Sequence, residues 1–498
     1  MLQHLEKISL RDLLGAAGAA AAAVVGCSIL LILYGIIYRI FFHPLAKYPG
    51  PFLSKFTNFY SAYHAWKGDI HLDVLRCHQI YGDRVRYAPN RVLFNTTQGL
   101  RDIYGHGAHV KKFDGYKVLS SQAANTLTLS DKAQHARRRR VISQAFSESS
   151  LRLFEPDMIA RIDRFCQFVG GPAGAVTHLT FDLMTALSFG SDYHTIEESE
   201  FRYVVPAIEE SNIRLSVLWQ APELTFGHLD RRLLPRSAKA AQQFVVFLRR
   251  LLKDRLHKDG ADRKDIFSFL QKCTDPDTGE ALTPKELSTE TATFIVAGTD
   301  TSSTAMAGLS HYLAGSSHAY RRAAEEVRST FTSIDEISLG PKLNSCAFLR
   351  ACLDESLRLS PPGGGPLWRE VEASGAVIGG DFIPQGCEVG AGIYAMQNSP
   401  GNWEDPGSFK PERWLEKTDG RQPYFPFNIG PRSCVGKPLA IAQIMLTMAR
   451  LLWGFDFRRA DLDKEPGESS DMNTERYVLK DHVTGQKEGP FLCFRPRT

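Results

Sequence analysis

Hydrophobic positions along this chain follow three patterns, and the first is an unbroken run. From Leu13 to Tyr38 no charge interrupts LLGAAGAAAAAVVGCSILLILYGIIY, a stretch long enough to cross a bilayer core of ~30 Å as a helix. It ends in Tyr38, Arg39, Ile40, Phe41 and Phe42 instead of a small-residue cleavage site, so it reads as an uncleaved anchor rather than a secretory signal. Charges cancel before it (Glu6, Lys7, Arg11, Asp12), whereas Arg39, Lys47 and Lys55 follow without an acid. The bulk of the chain is therefore expected in the cytoplasm, and Asn95-Thr96-Thr97 is a glycosylation triplet kept from the machinery.

The second pattern has helical period and carries most of the mass. Its clearest instance opens at Thr283-Pro284-Lys285-Glu286, where a capping threonine, a proline at the first helical position and a glutamate at the third agree. The helix runs through ELSTETATFIVAGTDTSSTAMAGLSHYLAG, about thirty residues or roughly 45 Å, enough to traverse a whole domain. The third pattern alternates over short runs: Val85-Arg86-Tyr87 with Arg91–Phe94 as a hairpin, then Ala376–Ile378 and Glu388–Ala391. Lys47-Tyr48-Pro49-Gly50-Pro51 makes a stiff, extended joint. No repeat or low-complexity linker follows, which gives a tail over 1–12, an anchor over 13–38, a joint over 39–51 and one mainly α domain with small β-sheets over 52–498.

Composition narrows this by exclusion. A net charge of +4 from 59 basic and 55 acidic residues makes no case for nucleic acid. Nine cysteines, without CxxC pairs, fit a reducing compartment and argue against zinc modules or a disulfide framework.

Three stretches bear chemistry. Ala297-Gly298-Thr299-Asp300-Thr301-Ser302 lies within the long helix, where glycine costs about 1 kcal/mol relative to alanine. Either Gly298 marks a close helix crossing and Asp300 is solvated, or Gly298 leaves room for a ligand while Asp300 and Thr301 supply hydrogen bonds and protons. Glu355 and Arg358 stand three apart on an apolar helix, an ordinary surface pair unless a third partner such as Arg413 in KPERW buries the glutamate between two arginines. In FNIGPRSCVG, Cys434 precedes an amphipathic helix whose N-terminus favours a thiolate. Phe427 can shield it, Gly430 and Gly436 allow close approach of a flat ligand, and Arg432 can reach an anion. A buried structural cysteine is the plain alternative. A phosphate loop fails on spacing and on the missing Ser or Thr after Lys437.

AGTDTS at 297–302, ExxR at 355–358, PERW at 411–414 and FxxGxRxCxG at 427–436, in that order, resemble the cytochrome P-450 family of haem-thiolate monooxygenases from about His43 to the C-terminus. The resemblance implies the cytochrome P-450 fold around haem b, with Cys434 as axial ligand of the iron. It implies Asp300 and Thr301 as the distal proton-delivering pair, and Glu355, Arg358 and Arg413 as a structural triad. His135 and Arg139 (i, i+4 in HARRRR), Arg369 and Arg432 match positions that bind the haem propionates, which leaves Arg137, Arg138 and Arg140 facing solvent and an acidic electron donor.

Asn428, Pro438 and Trp414 depart from common family choices and bear on reduction potential and helix start. With no flavin or GxGxxG module in the chain, the implied partner is a membrane-bound NADPH-cytochrome P-450 reductase. The expected setting is the endoplasmic reticulum membrane, crossed once. HPLAKYPGP and DHVTGQKEGPFLCFRPR resemble fungal members such as benzoate para-hydroxylase and isotrichodermin hydroxylase, which implies secondary metabolism. By the same resemblance the pocket is lined by 105–126, 201–234, 294–301, 363–368 and 479–483. Those mostly apolar walls suit a medium-sized terpenoid, alkaloid or polyketide, taken with dioxygen. Gly363-Gly364-Gly365 reads as a flexible loop or as a shaped pocket floor. Alternatives are a haem-thiolate isomerase or dehydratase that needs no electrons, and an anchored haem-binding protein without turnover.

Overall fold

The computed structural model describes residues 10–120, 123–169, 176–257, 264–416, 422–460 and 476–497. Glu6 and Lys7 of the tail, and Ser121 and Gln122 of the expected pocket wall, lie outside these. The apolar run forms a helix over Leu10–Ile37, continued by a wide turn at Tyr38–Phe42. Leu14–Phe42 is long and apolar enough to cross a membrane, and its most apolar window is not buried in the protein. The proline joint is stitched to the domain: Leu45 and Tyr48 are buried, and Arg86 N donates to Pro49 O at 2.7 Å. A side chain at Gly50 would overlap Arg86 O.

The long helix spans Pro284–Gly315. Its start is a capping box, with Glu286 N donating to Thr283 Oγ1 at 3.3 Å and Thr283 N to Glu286 Oε2 at 2.9 Å, which satisfies donors that a helix N-terminus leaves unpaired. Around it gather the helices Val176–Phe189, Ala347–Leu359 and Lys437–Gly454, and their facing side chains form the main core with Leu309, Leu313, Leu353 and Leu446 buried. Each of these leucines contributes about 2–5 kcal/mol relative to alanine.

A five-stranded sheet lies to one side. Its order is Arg84–Ala88, Arg91–Phe94, Glu388–Gly390, Arg369–Val371, Val110–Lys112; the second and third strands run parallel and the others pair antiparallel. The predicted hairpin and later strands are all present, and a further hairpin, Leu479–His482 with Thr484–Lys487, packs on the long helix and on the helix Val204–Gln220.

Candidate active site

Between Phe294 and Leu313 the long helix is buried except at Val296, Ala297, Gly298 and Thr301. Ala297 and Thr301 lie one turn apart and so share a face, an accessible stripe on a core helix that marks the wall of a cleft. Thr301 Oγ1 donates to Ala297 O at 2.6 Å and keeps its oxygen on that face.

Gly298 faces elsewhere. A side chain there would overlap Met184 Sδ of the neighbouring helix, and Thr180 Oγ1 donates to Thr299 O at 3.0 Å across the same crossing. A close helix crossing accounts for the glycine at this position.

Asp300, 3 % exposed, turns away from the cleft. Its Oδ2 accepts from Asn212 Nδ2 at 2.8 Å and Thr484 Oγ1 at 3.0 Å, while Oδ1 has no partner. Burial, opposed by the charge of Lys487, pushes the carboxyl up to about 6, an affinity at which it takes and gives protons near neutrality.

The cysteine loop closes through Cys434 N donating to Phe427 O at 2.8 Å. Asn428 sits at φ 57, a left-handed conformation that asparagine tolerates better than most residues, and Ile429 N donates to its side-chain oxygen at 2.8 Å. Gly430, at φ 69, passes where any side chain would overlap Tyr104 O. Pro438 falls in the first turn of the helix Lys437–Gly454, where its missing N–H costs nothing. Two of the departures from the family pattern thus have local reasons.

Cys434 is exposed, yet burial raises its thiol above the usual cysteine range, against the opposing N–H groups of Gly436 and Lys437 and the charges of Arg139 and Lys437. A sulfur that is both reachable and desolvated faces an internal cleft. Desolvation and the N-terminal N–H groups act on this thiol in opposite directions. A Cβ at Gly436 would stand 3.8 Å from Cys434 Sγ, an ordinary contact.

Beside this loop, cations gather without ion-paired acids. Strand pairing sets Lys112 opposite Arg369, two like charges that would repel in an isolated sheet. Arg369 donates to Trp368 O at 2.9 Å and Tyr116 Oη at 3.1 Å, and Arg432 to Leu129 O at 2.6 Å and Ser130 O at 3.2 Å. Arg139 donates to Ser433 O at 2.5 Å, and Lys112 to Leu127 O. Among the described residues no carboxylate lies within ion-pair distance of any of the four.

Burial and the neighbouring cations lower Lys112 well below the usual lysine range and bring Arg432 down to about 10. Burial, then Arg432, Lys112, Arg139 and Arg369, push His135 down to about 3. Burial and these cations favour the neutral imidazole of His135, which can still donate a hydrogen bond from one ring nitrogen to an anion. Buried positive charge without a counter-ion calls for an anion, and this set fits the two propionates of haem beside a reachable sulfur. Lys112 carries no local sequence signal; only its pairing to Arg369 reveals it.

The other arginines of HARRRR do not face open solvent. Arg137 and Arg138 pair with Glu286 at 2.9 and 2.8 Å, Arg138 also with Glu290 at 3.4 Å, and Arg140 with Asp275 at 2.6 Å. Acids at the start of the long helix and in the preceding loop take them up.

Glu355 and Arg358 are fully buried. Arg358 donates two parallel bonds to Glu355 at 2.9 and 2.8 Å, and its remaining donors reach Gln397 O, Pro406 O and Ser408 O. Arg413 Nε lies 3.4 Å from Glu355 Oε1. Lys410 N and Trp414 Nε1 donate to the same carboxylate at 3.1 and 3.0 Å. Trp414 thus adds an indole N–H donor to the buried carboxylate.

A family model described as cytochrome P-450 matches residues 48–480. The chain is 46 % identical over 484 residues to the cytochrome P-450 monooxygenase poxM of Penicillium oxalicum, covering 93 % of each. It is 42 % identical over 510 residues to the cytochrome P-450 monooxygenase atnE of Emericella nidulans, covering 96 % of this chain and 97 % of that one. It is 57 % identical over 331 residues to the cytochrome P-450 monooxygenase lcsN of Purpureocillium lilacinum, which spans 65 % of this chain and 98 % of that one.

Proposed function

Since this chain belongs to the cytochrome P-450 family and is a haem-dependent monooxygenase, we propose that the Cys434 sulfur would hold the haem iron, in a membrane-anchored enzyme acting on a medium-sized apolar secondary metabolite. The observation that carries this reading is the link between the cation cluster without ion-paired acids and the cysteine loop: Arg139 belongs to the first and donates to Ser433 O of the second. Lys112, Arg139, Arg369 and Arg432, with His135 as neutral donor, hold the propionates. Phe427 shields the sulfur. When bound, haem supplies the activation of dioxygen.

The protein's own residues then manage protons and access. Thr301 Oγ1 stands on the cleft face one residue from Asp300, whose carboxyl is poised near neutrality. That pair favours oxygen chemistry over an electron-free isomerisation, which needs no proton delivery to the distal side. Electrons from NADPH arrive through a separate membrane-bound reductase. The helix Leu14–Phe42 holds the domain at the cytoplasmic face of the endoplasmic reticulum, crossing the membrane once.

The test is the spectrum of the reduced, carbon-monoxide-bound protein. A strongly red-shifted Soret band that disappears in Cys434→Ala is the expected result. A band unaffected by that substitution counts against Cys434 as the ligand.

A further inference from the structure

Polar groups interrupt the mostly apolar walls of the proposed pocket. A cavity of about 30 Å³, room for one or two water-sized groups, lies between the helix Val204–Gln220, the triple-glycine loop and the tip of the C-terminal hairpin, with Trp219, Gly365, Leu367, Asp481 and Val483 among its walls. Two of these residues carry polar atoms with no protein partner, Trp219 Nε1 and Asp481 Oδ2. The residues are 7 % and 6 % exposed.

Both groups are fixed in place. Tyr116 meets the Trp219 ring edge-on at 5.0 Å between centroids. Burial pushes the Asp481 carboxyl up to about 6, against the N–H groups of Gly365 and Gly364 that favour its ionised form, and Oδ2 is left without a hydrogen bond of its own. A side chain at Gly365 would come to 3.1 Å from Asp481 Oδ2, and one at Gly364 to 3.0 Å from His71 Cβ, so these glycines form a shaped floor and not a loose loop. Val483, a β-branched residue, is held at φ 71 at the hairpin tip. Gly485 N donates to Pro362 O at 2.5 Å and Thr304 Oγ1 to Gly485 O at 2.6 Å, clamping that tip. Backbone strain of this kind persists where a surrounding structure over-determines it, often at ligand clamps.

One orphan donates and the other accepts. An alkane would leave both unpaired, a carboxylate would be repelled by Asp481, and an ammonium would leave Trp219 Nε1 without an acceptor. An alcohol answers both, since a hydroxyl donates one hydrogen bond and accepts others. We propose that this cavity receives a hydroxyl group, so that the enzyme takes an apolar molecule already bearing an alcohol and uses Trp219 and Asp481 as specificity-determining residues. The proposal rests on the reading of these segments as pocket walls. The same hairpin carries Thr484 to Asp300, and the glycine loop runs on into Arg369, so a substrate anchored here lies beside the reactive cleft. A reaction that installs an alcohol must then precede this enzyme's own.

The test uses the detergent-solubilised, haem-loaded full chain and calorimetric titration with four probes of one shape: adamantanol, methyladamantane, adamantylammonium and adamantanecarboxylate. Adamantanol should bind about tenfold or more tightly than the other three. Trp219→Phe and Asp481→Leu should each remove most of that preference while leaving the reduced, carbon-monoxide spectrum as in the unmodified protein. Either variant alone suffices if the other does not fold. Equal affinities, preference for a charged head, no binding of adamantanol, or a preference that survives both substitutions would overturn the proposal and assign the cavity to resident water. Failure of the Cys434 reading is separate, because it shows as a missing thiolate spectrum before any probe is added.

Discussion

Replacing Asp300 by Asn separates what this carboxyl costs the fold from what it does in catalysis. Burial holds its folded-state value near 6 against an ordinary 3.8, a gap that corresponds to about 3 kcal/mol. Below the ordinary value both folded and unfolded chains carry the proton, and the native state has no penalty. As pH rises through about 6 the folded carboxyl ionises against its burial, whereas the unfolded one has done so freely. Stability therefore falls by up to about 3 kcal/mol by pH 8.

The neighbours on every side are accounted for. Asn212 and the Thr484 hydroxyl donate to Oδ2, and Lys487 and Glu209, 3.6 Å from each other, oppose one another in their effect on the group. Asparagine keeps an acceptor for both donors and cannot ionise. In urea titrations of the solubilised protein, Asp300→Asn should exceed the unmodified chain by most of that ~3 kcal/mol at pH 8, and the two should converge at about pH 4. The same variant should still consume NADPH with a reductase but yield less product per NADPH. A variant no more stable at pH 8, or an advantage that does not shrink in acid, refutes the burial penalty. Unchanged product per NADPH removes Asp300 from proton delivery.

Lys112→Met should release haem to a scavenging apoprotein about tenfold faster, through loss of a charge-assisted contact, while the haem-free protein stays at least as stable because one buried like charge is gone; unchanged haem retention would take Lys112 out of the anion cradle. Glu355→Gln leaves the buried guanidinium of Arg358 without a counter-ion and should cost about 3–5 kcal/mol in denaturant unfolding, a loss that a surface pair could not produce. Gly298→Ala sets an overlap with Met184 of about 1–3 kcal/mol against a helix-propensity gain of about 1 kcal/mol, for a net loss of up to about 2 kcal/mol. Adding Met184→Ala should recover part of it with haem retention unaltered, whereas a ligand-facing glycine would show the reverse.

What the sequence made legible was what neighbours in the chain decide. The capping box at Thr283, the pairing of Glu355 with Arg358 and the alternation of the early hairpin are all settled within a few residues, and each stands where the pattern puts it. Groups whose behaviour depends on a distant partner were not legible. Lys112 becomes part of a cation cluster only because its strand pairs with that of Arg369. Trp414 becomes a structural donor only because Glu355 is buried behind it. The two partners of Asp300 come from a helix and a hairpin with no sequence mark.

The run HARRRR shows where the boundary falls. Successive residues on a helix point about 100° apart, so periodicity alone sets Arg139 on the face of His135 and separates it from Arg137, Arg138 and Arg140. What those three meet is decided by where the long helix begins in space. Its first turns bring Glu286 and Glu290 against Arg137 and Arg138, and the loop before it brings Asp275 against Arg140. The capping box fixes that starting point in the sequence, yet only the packing of the domain turns an apparent basic surface into ion pairs and leaves Arg139 free of acids beside the cysteine loop.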